Sequence, residues 1–141
     1  PVDSDGNYNA PPHFLDDLSS RYSIRVVSLS LQSNVTGILH DTRAYRDFAK
    51  ATGAAFVVDG AQAVVHAPHA VGELNADFVA YSAHKLFGPT GIGALVADKS
   101  VLDACDVYQG GGGMINLVEH DKSTYLDAPG KYEAGTQAIG E

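Results

Sequence analysis

The stretch YSAHKLFGPTGIG, residues 81–93, begins with the last residue of an apolar run, residues 77–81, that has the composition of a buried β-strand. Small and polar side chains then replace the apolar ones, and Lys85 is among them. The glycines that follow allow the backbone to turn tightly and to approach another group closely. A lysine directly after a buried strand lies where a fold can hold a reactive amine, although most lysines in proteins are exposed surface residues.

A second apolar run, residues 56–59, ends in Asp59. In open α/β sheets, ligands bind beyond the carboxyl ends of the strands, so we expect Asp59 and Lys85 at the same edge of a parallel sheet. A lysine and an acid at one edge suit pyridoxal phosphate, which forms a Schiff base with the lysine and needs the acid opposite its pyridine nitrogen. These two residues alone leave open a structural Asp59–Lys85 ion pair, or Asp59 as a helix cap.

Five motifs occur in order along the chain. They are SNVTG (33–37), VDGAQ (58–62), SAHK with GPTGIG (82–85 and 88–93), GGGGMI (110–115) and EAGT (133–136). Together they resemble the middle of a class V aminotransferase-fold enzyme, and among these enzymes they are most similar to the group II, Suf-type cysteine desulfurases. The resemblance runs from about residue 28 to the last residue, so it covers most of the chain.

The resemblance implies roles for four residues around the cofactor ring. Lys85 forms the Schiff base, and Asp59 keeps the pyridine nitrogen protonated, which makes the ring an electron sink. Gln62 hydrogen-bonds the phenolic oxygen of the cofactor. Asn34 reaches the cofactor edge or the substrate carboxylate; without the resemblance it would be assigned to a turn or a helix cap.

Three further residues are implied to bind the cofactor phosphate. Ser82 and His84 carry natural hydrogen-bond donors, and an extended backbone would place both on one side and Lys85 on the other. Thr136 is implied to contact the phosphate across a dimer interface. The sequence departs from the family pattern at Gln137, where a proline is usual, and at Gln32, where a histidine is frequent; we assign no role to Gln32.

The implied parent protein is a cytoplasmic, homodimeric, pyridoxal-phosphate-dependent transferase. It converts L-cysteine to L-alanine and passes persulfide sulfur to an acceptor, which can be an acceptor protein, for iron–sulfur cluster assembly. Residues 1–141 are expected to be part of its large, cofactor-binding domain, without the N-terminal part and the small C-terminal domain. Two alternatives stay open: another class V enzyme (a selenocysteine lyase, an aminotransferase or an epimerase), or a non-catalytic binding remnant of the fold.

The expected fold class is α/β, with a mainly parallel sheet and crossover helices, as in the large domain of fold-type I transferases. Besides the strands that end near Asp59 and Lys85, the sequence predicts two strands, at residues 25–31 and 93–97, and three helices, at residues 13–22, 41–52 and 99–105. Asp41 is a plausible N-cap for the second helix, and Gly53 is a fitting end for it.

Composition excludes several classes of function. The net charge of −8, without a basic cluster, disfavours nucleic-acid binding. No apolar run approaches the roughly 20 residues that span a bilayer. The single cysteine, Cys105, precludes an internal disulfide and is expected to be a packed small residue. His66 and His69 flank Pro68 without a third ligand, so we expect no metal site.

Overall fold

The computed structural model describes residues 4–5, 12–69 and 71–140. By its internal contacts the chain forms two compact units, Pro1–Val96 and Ala97–Glu141. The first unit contains the residues around Asp59 and Lys85, and the second contains the glycine run and Thr136.

A four-stranded sheet organises the first unit. Its strands lie in the order β1 (Val26–Ser30), β2 (Ala55–Asp59), β3 (Phe78–Ser82) and β4 (Gly93–Ala97). β1 and β2 pair in parallel, and so do β2 and β3. The predicted α/β class with a mainly parallel sheet is confirmed.

Helices make the connections between the parallel strands. α1 (Pro12–Arg21) precedes the sheet, α2 (Arg43–Thr52) links β1 to β2, and the short α3 (Ala63–His66) and α4 (Val71–Leu74) link β2 to β3. The sequence predicted α1 and α2 within two residues at each end, and it predicted neither α3 nor α4. Across the described parts of the chain, no helix combines the length and the apolar composition needed to cross a bilayer.

The core lies on one face of this sheet. The register aligns Leu29 with Val58 and Val58 with Val79, so these three side chains form one row across the sheet. Val58 and Val79 are fully buried and pack in one cluster with Phe56 and with Ala49 of α2. Because side chains alternate along a strand, the next row, Ser30–Asp59–Ala80, points to the opposite face.

The ends of α2 show how the sequence stops a helix. Its last residue precedes Gly53, the predicted end of the helix, which adopts the left-handed conformation with φ +70° and donates its N–H to Ala49 O. The prediction of Asp41 as N-cap is wrong by one residue, because Thr42 occupies that position. The Asp41 carboxylate nevertheless accepts a hydrogen bond from Arg43 N (3.0 Å), so it still satisfies a free N–H of the first turn.

Acid pH should weaken the contribution of Asp41 to stability. Hydrogen bonds from the Arg43 side chain and backbone lower the pKa of Asp41 to about 2. A carboxyl group whose pKa falls on folding stabilises the protein above its unfolded pKa, and this stabilisation is lost as the pH falls towards the folded pKa. Both side chains are largely exposed, so screening limits the effect to less than about 1 kcal/mol.

We therefore expect Asp41→Asn to lower the free energy of unfolding slightly at pH 7, and we expect the difference from the unsubstituted protein to vanish near pH 2. Urea denaturation at several pH values measures this difference. Asp121→Asn is the matched control, because Asp121 is exposed and makes no ion pair among the described residues. If Asp41→Asn lowers the free energy of unfolding by the same amount at every pH, the lowered pKa of Asp41 is contradicted.

The second unit contains a hairpin that the sequence did not predict. α5 (Lys99–Ala104) follows β4, and the antiparallel strands β5 (Ile115–Val118) and β6 (Ser123–Tyr125) come after the glycine run. A 3₁₀ helix at Gly130–Tyr132 closes the unit. The Tyr132 hydroxyl donates to Leu102 O at 2.7 Å and therefore ties this turn to α5.

Candidate active site

Asp59 and Lys85 lie at the same end of neighbouring parallel strands. Asp59 is the last residue of β2 and is in register with Ala80 of β3. β3 ends two residues later at Ser82, and Lys85 follows in a 3₁₀ helix, Ala83–Leu86. The expected placement beyond the carboxyl ends of two adjacent strands is therefore confirmed, except that a helical turn separates Lys85 from the strand.

The Asp59 side chain is exposed and only partly engaged. Its Oδ1 accepts a hydrogen bond from Ala61 N at 2.9 Å, and among the described residues its Oδ2 has no partner. Ala61 lies in the turn before α3, whose N-cap is Gln62, so Asp59 orders this turn and does not cap the helix. The turn holds the carboxylate in place and leaves one oxygen for a ligand.

Lys85 differs from the other lysines of the chain. It is half-buried, and within the described residues it makes no hydrogen bond or ion pair. Lys99 and Lys122 form ion pairs, Lys131 donates to two backbone carbonyls, and Lys50 is exposed. The alternative of a structural Asp59–Lys85 ion pair is thus not found in the structure.

The segment around Lys85 turns sharply. Phe87 ends the 3₁₀ helix in the left-handed conformation (φ +63°), which is unfavourable for a residue with a Cβ, and its side chain is 93% exposed. Gly88 donates its N–H to Ala83 O at 2.9 Å and closes the turn. Because residues 83–86 form a helical turn, the backbone there is not extended. The prediction that Ser82 and His84 lie on one side and Lys85 on the other is therefore wrong.

The described positions of Ser82 and His84 are compatible with a ligand. Ser82 is half-buried at the end of β3, and its hydroxyl does not cap the 3₁₀ helix. His84 is exposed within that helix. Both hydrogen-bond donors lie within three residues of Lys85, at the strand end where Asp59 also lies.

Asn34 lies in a small loop after β1. The loop is closed by a bridge between Gln32 and Leu39, and Ser33 Oγ accepts hydrogen bonds from two backbone N–H groups within it. The side chain of Asn34 is exposed. Gln32 Nε2 donates to Gly37 O, while its buried Oε1 has no partner in the described part of the chain. The loop follows the carboxyl end of β1, which is parallel to β2, so Asn34 shares the rim with Asp59.

Thr136 belongs to the second unit. It is exposed and follows Gly135, which has φ +88° and donates its N–H to Gly112 O at 2.8 Å. A Cβ on Gly111 would lie 3.1 Å from that of Ala134, so the glycine run and the EAGT motif pack closely against each other. The role of Thr136 in phosphate binding stays a prediction.

A cavity of about 450 Å³ opens beside Asp59. Ser28, Ser30, His40 and Tyr45 line it together with Asp59 and Leu29; Ser82, His84 and Lys85 are not among these residues. The cavity therefore lies on the β1 side of Asp59, whereas Lys85 approaches from the β3 side. His40 is 7% exposed, and nothing in the sequence pattern around it indicated a place beside Asp59.

Two residues considered from the sequence alone lie outside this site. Cys105 is exposed at the end of α5, so the expectation that it is packed is wrong. His69 faces Glu73, with 3.9 Å between Nδ1 and the nearest carboxylate oxygen. In the described part of the chain, no group of three His, Cys, Asp or Glu side chains is arranged to hold a metal ion.

The chain belongs to the class V aminotransferase family, whose family model matches residues 1–141. It is 46% identical over 115 residues to "Cysteine desulfurase CsdA" of Escherichia coli, an alignment that covers 82% of this chain and 29% of that protein. It is 39% identical over 142 residues to a "Cysteine desulfurase" of Haloferax volcanii, covering 99% of this chain and 32% of that protein.

Solved structures have the same fold. The crystal structure of Escherichia coli CsdA matches with a TM-score of 0.79 at 42% identity, covering 89% of this chain and 32% of that chain. The apo cysteine desulfurase of Thermococcus onnurineus matches with a TM-score of 0.82 at 35% identity, covering 99% and 34%. The chain therefore spans about a third of the length of the relatives it matches.

The residues of the first unit fit the cofactor of this family. Cysteine desulfurases of the class V family use pyridoxal phosphate. A carboxylate with one unengaged oxygen, a half-buried unpaired lysine and two hydrogen-bond donors at one strand end are the groups that this cofactor needs. None of the described contacts commits these side chains to a purely structural role.

Proposed function

We propose that this chain holds the cofactor of a pyridoxal-phosphate-dependent cysteine desulfurase. The enzyme releases L-alanine from L-cysteine and leaves the sulfur as a persulfide on an acceptor thiol. The observation that carries the proposal is the parallel β2–β3 register, which places Asp59 at the strand end from which Lys85 emerges. The substrate is inferred from the names of the relatives.

Lys85 and Asp59 are the proposed catalytic residues. When bound, the cofactor supplies an electron sink that stabilises negative charge at the substrate α-carbon. Lys85 Nζ is the amine that attaches the cofactor, and as a free amine it can accept and return a proton. The Asp59 carboxylate holds a proton on the pyridine nitrogen, while Ala61 N–H, bonded to its Oδ1, fixes its orientation.

The remaining residues are proposed to orient the cofactor. Ser82 and His84 bind its phosphate with a hydroxyl and an imidazole N–H, and Gln62 donates to its phenolic oxygen. Asn34 binds the cofactor edge or the substrate carboxylate. Thr136 binds the phosphate of a second subunit, and this role requires a homodimer.

The proposal also covers the subgroup of the enzyme, its location and the destination of the sulfur. The GPTGIG and GGGGMI motifs support a group II, Suf-type enzyme, in which residues 1–141 form part of the large domain of a longer cytoplasmic protein. The sulfur-accepting cysteine then lies outside this chain. The persulfide sulfur serves iron–sulfur cluster assembly, directly or through an acceptor protein.

The test uses the full-length protein that contains this chain, loaded with pyridoxal phosphate. Incubation with L-cysteine and a thiol reductant should give equal amounts of alanine and sulfide, measured by chromatography and by a colorimetric assay. Turnover of selenocysteine alone would indicate a selenocysteine lyase. Cofactor binding without turnover of either amino acid would favour another class V enzyme, and no cofactor binding would support the non-catalytic alternative.

A further inference from the structure

Tyr81 of β3 lies close to two glycines, Gly60 directly after β2 and Gly93 at the start of β4. A Cβ on Gly60 would lie 2.8 Å from Tyr81 Cε1 and 3.2 Å from Tyr81 Cδ1. A Cβ on Gly93, the first residue of β4, would lie 2.5 Å from the Tyr81 carbonyl oxygen. The ring of Tyr81 therefore rests on the backbone after β2, and its carbonyl rests on the backbone of β4.

Gly60 and Gly93 have to be glycine because a side chain would collide with Tyr81, and not because of their backbone conformation. Neither Gly60 nor Gly93 has a positive φ, whereas Gly91 in the same segment does. Ordinary residues can adopt their φ values, but no side chain fits. At Gly60 a methyl group would also meet Val79 Cγ1 at 3.2 Å, so it would press against the fully buried core as well as against the ring.

The contact involves the residues next to the two proposed catalytic segments in the sequence. Gly60 directly follows Asp59, and Tyr81 directly precedes Ser82, the last residue before the helical turn that carries Lys85. Gly60 N–H donates to Ala80 O at 3.0 Å, so a backbone bond and the ring contact join the same two segments. The ring contact therefore adds to the backbone bond between the end of β2 and the segment that leads to Lys85.

We propose that Tyr81 is a positioning residue whose ring, seated on Gly60, fixes the separation between Asp59 and the Ser82–Lys85 segment. The inference rests on the proposed function, because it assigns the contact to cofactor geometry. A methyl group at 2.8 Å must displace the ring or the turn by several tenths of an ångström. Active sites require their groups within about 0.5 Å of the productive position, and a misplacement of about 1 Å can cost roughly 100-fold in rate.

The test compares four variants of the full-length holoenzyme: Gly60→Ala, Tyr81→Phe, Tyr81→Val, and Gly60→Ala combined with Tyr81→Val. The readouts are the dissociation constant of pyridoxal phosphate, the pH midpoint of the visible absorbance of the bound cofactor, and the unfolding temperature. Gly110→Ala is the matched control, because a Cβ there meets nothing within 4 Å and its φ is not positive.

Gly60→Ala should weaken cofactor affinity by about tenfold or more and shift the pH midpoint, because the carboxylate no longer meets the pyridine nitrogen correctly. Tyr81→Phe should leave both values unchanged, since the ring alone makes the contact. When Tyr81 is already valine, the methyl group added by Gly60→Ala has space, so Gly60→Ala should change cofactor affinity by less than about twofold. Such a dependence of one substitution on the other shows that the two residues interact.

Two outcomes would overturn the inference, and they are distinguishable. If Gly60→Ala lowers only the unfolding temperature and keeps the affinity and the pH midpoint of the unsubstituted enzyme, the contact is structural and the proposed function stands. If the unsubstituted protein itself shows no cofactor absorbance, the proposed function and the positioning role fail together.

Discussion

Lys85→Ala is expected to lower the rate of alanine formation from L-cysteine by at least about 10²–10⁴-fold, the effect of losing a positioned proton-transfer group, with the loss of cofactor attachment in addition. Lys85 makes no described ion pair or hydrogen bond, so its removal should change the unfolding temperature little. Steady-state kinetics and thermal unfolding of the full-length protein measure the two effects. Lys85→Arg should be equally inactive, because it keeps the charge but has no nucleophilic amine.

Lys50→Ala is the matched control for this prediction. Lys50 lies on the exposed surface of α2 and, like Lys85, makes no described ion pair. Its substitution should leave the rate within about twofold of the unsubstituted enzyme, as expected for a surface residue. Comparable rates for the Lys85 and Lys50 variants would remove Lys85 from the catalytic site.

Asp59→Asn is expected to lower the same rate by about 10²–10³-fold, the usual effect of removing one preorganised electrostatic contact to a transition state. The amide oxygen of asparagine can still accept the hydrogen bond from Ala61 N, so the turn after β2 should persist. Only the negative charge is lost. The cofactor's visible absorbance should therefore titrate at a different pH in the variant, which a spectrophotometric titration detects.

Asp77→Asn separates a structural carboxylate from the proposed catalytic one. Asp77 Oδ2 accepts a hydrogen bond from Phe56 N at 2.7 Å, at the opposite end of β2 from Asp59. Its substitution weakens a charge-assisted hydrogen bond beside the buried core, so it should lower the unfolding temperature and leave the pH titration of the cofactor unchanged. If Asp59→Asn also lowered only the unfolding temperature and left the pH titration of the cofactor unchanged, Asp59 would not be a catalytic residue.

The sequence predicted the parallel part of the fold well because this part depends on local patterns. Short apolar runs predicted β2 and β3, and the amphipathic pattern before Gly53 predicted α2. The general rule that ligands bind at the carboxyl ends of parallel strands then placed Asp59 and Lys85 at one edge, without any contact being known.

Features that depend on distant contacts were not predictable in this way. The β5–β6 hairpin follows a run of glycines without the two-residue turn signal that usually marks hairpins. The 3₁₀ helix around Lys85 depends on the turn that Gly88 closes, and the sequence suggested a continuing strand there. The contact of Tyr81 with Gly60 joins two strands, so neither residue alone indicates it.

The candidate site could likewise be predicted only in part from the sequence. The motifs selected the residue types, and the register explains why Asp59 and Ser82 share an edge. No pattern in the sequence predicted that His40 is buried beside Asp59. After the Asn34 loop the chain runs back alongside Leu31, where His40 N donates to Leu31 O, and this return places His40 there. The roles of Asn34, Gln62 and Thr136 stay predictions, since side-chain roles around a cofactor depend on the bound group.

The most direct test of the central claim is to locate the lysine that holds the cofactor. The full-length protein is incubated with pyridoxal phosphate, reduced with borohydride, digested and analysed by mass spectrometry. We expect a phosphopyridoxyl group on Lys85 alone, because Lys99 and Lys122 are engaged in ion pairs, Lys131 donates to two backbone carbonyls and Lys50 is exposed on α2. No label, or labels spread equally over Lys50, Lys99 and Lys122, would contradict the assignment of Lys85.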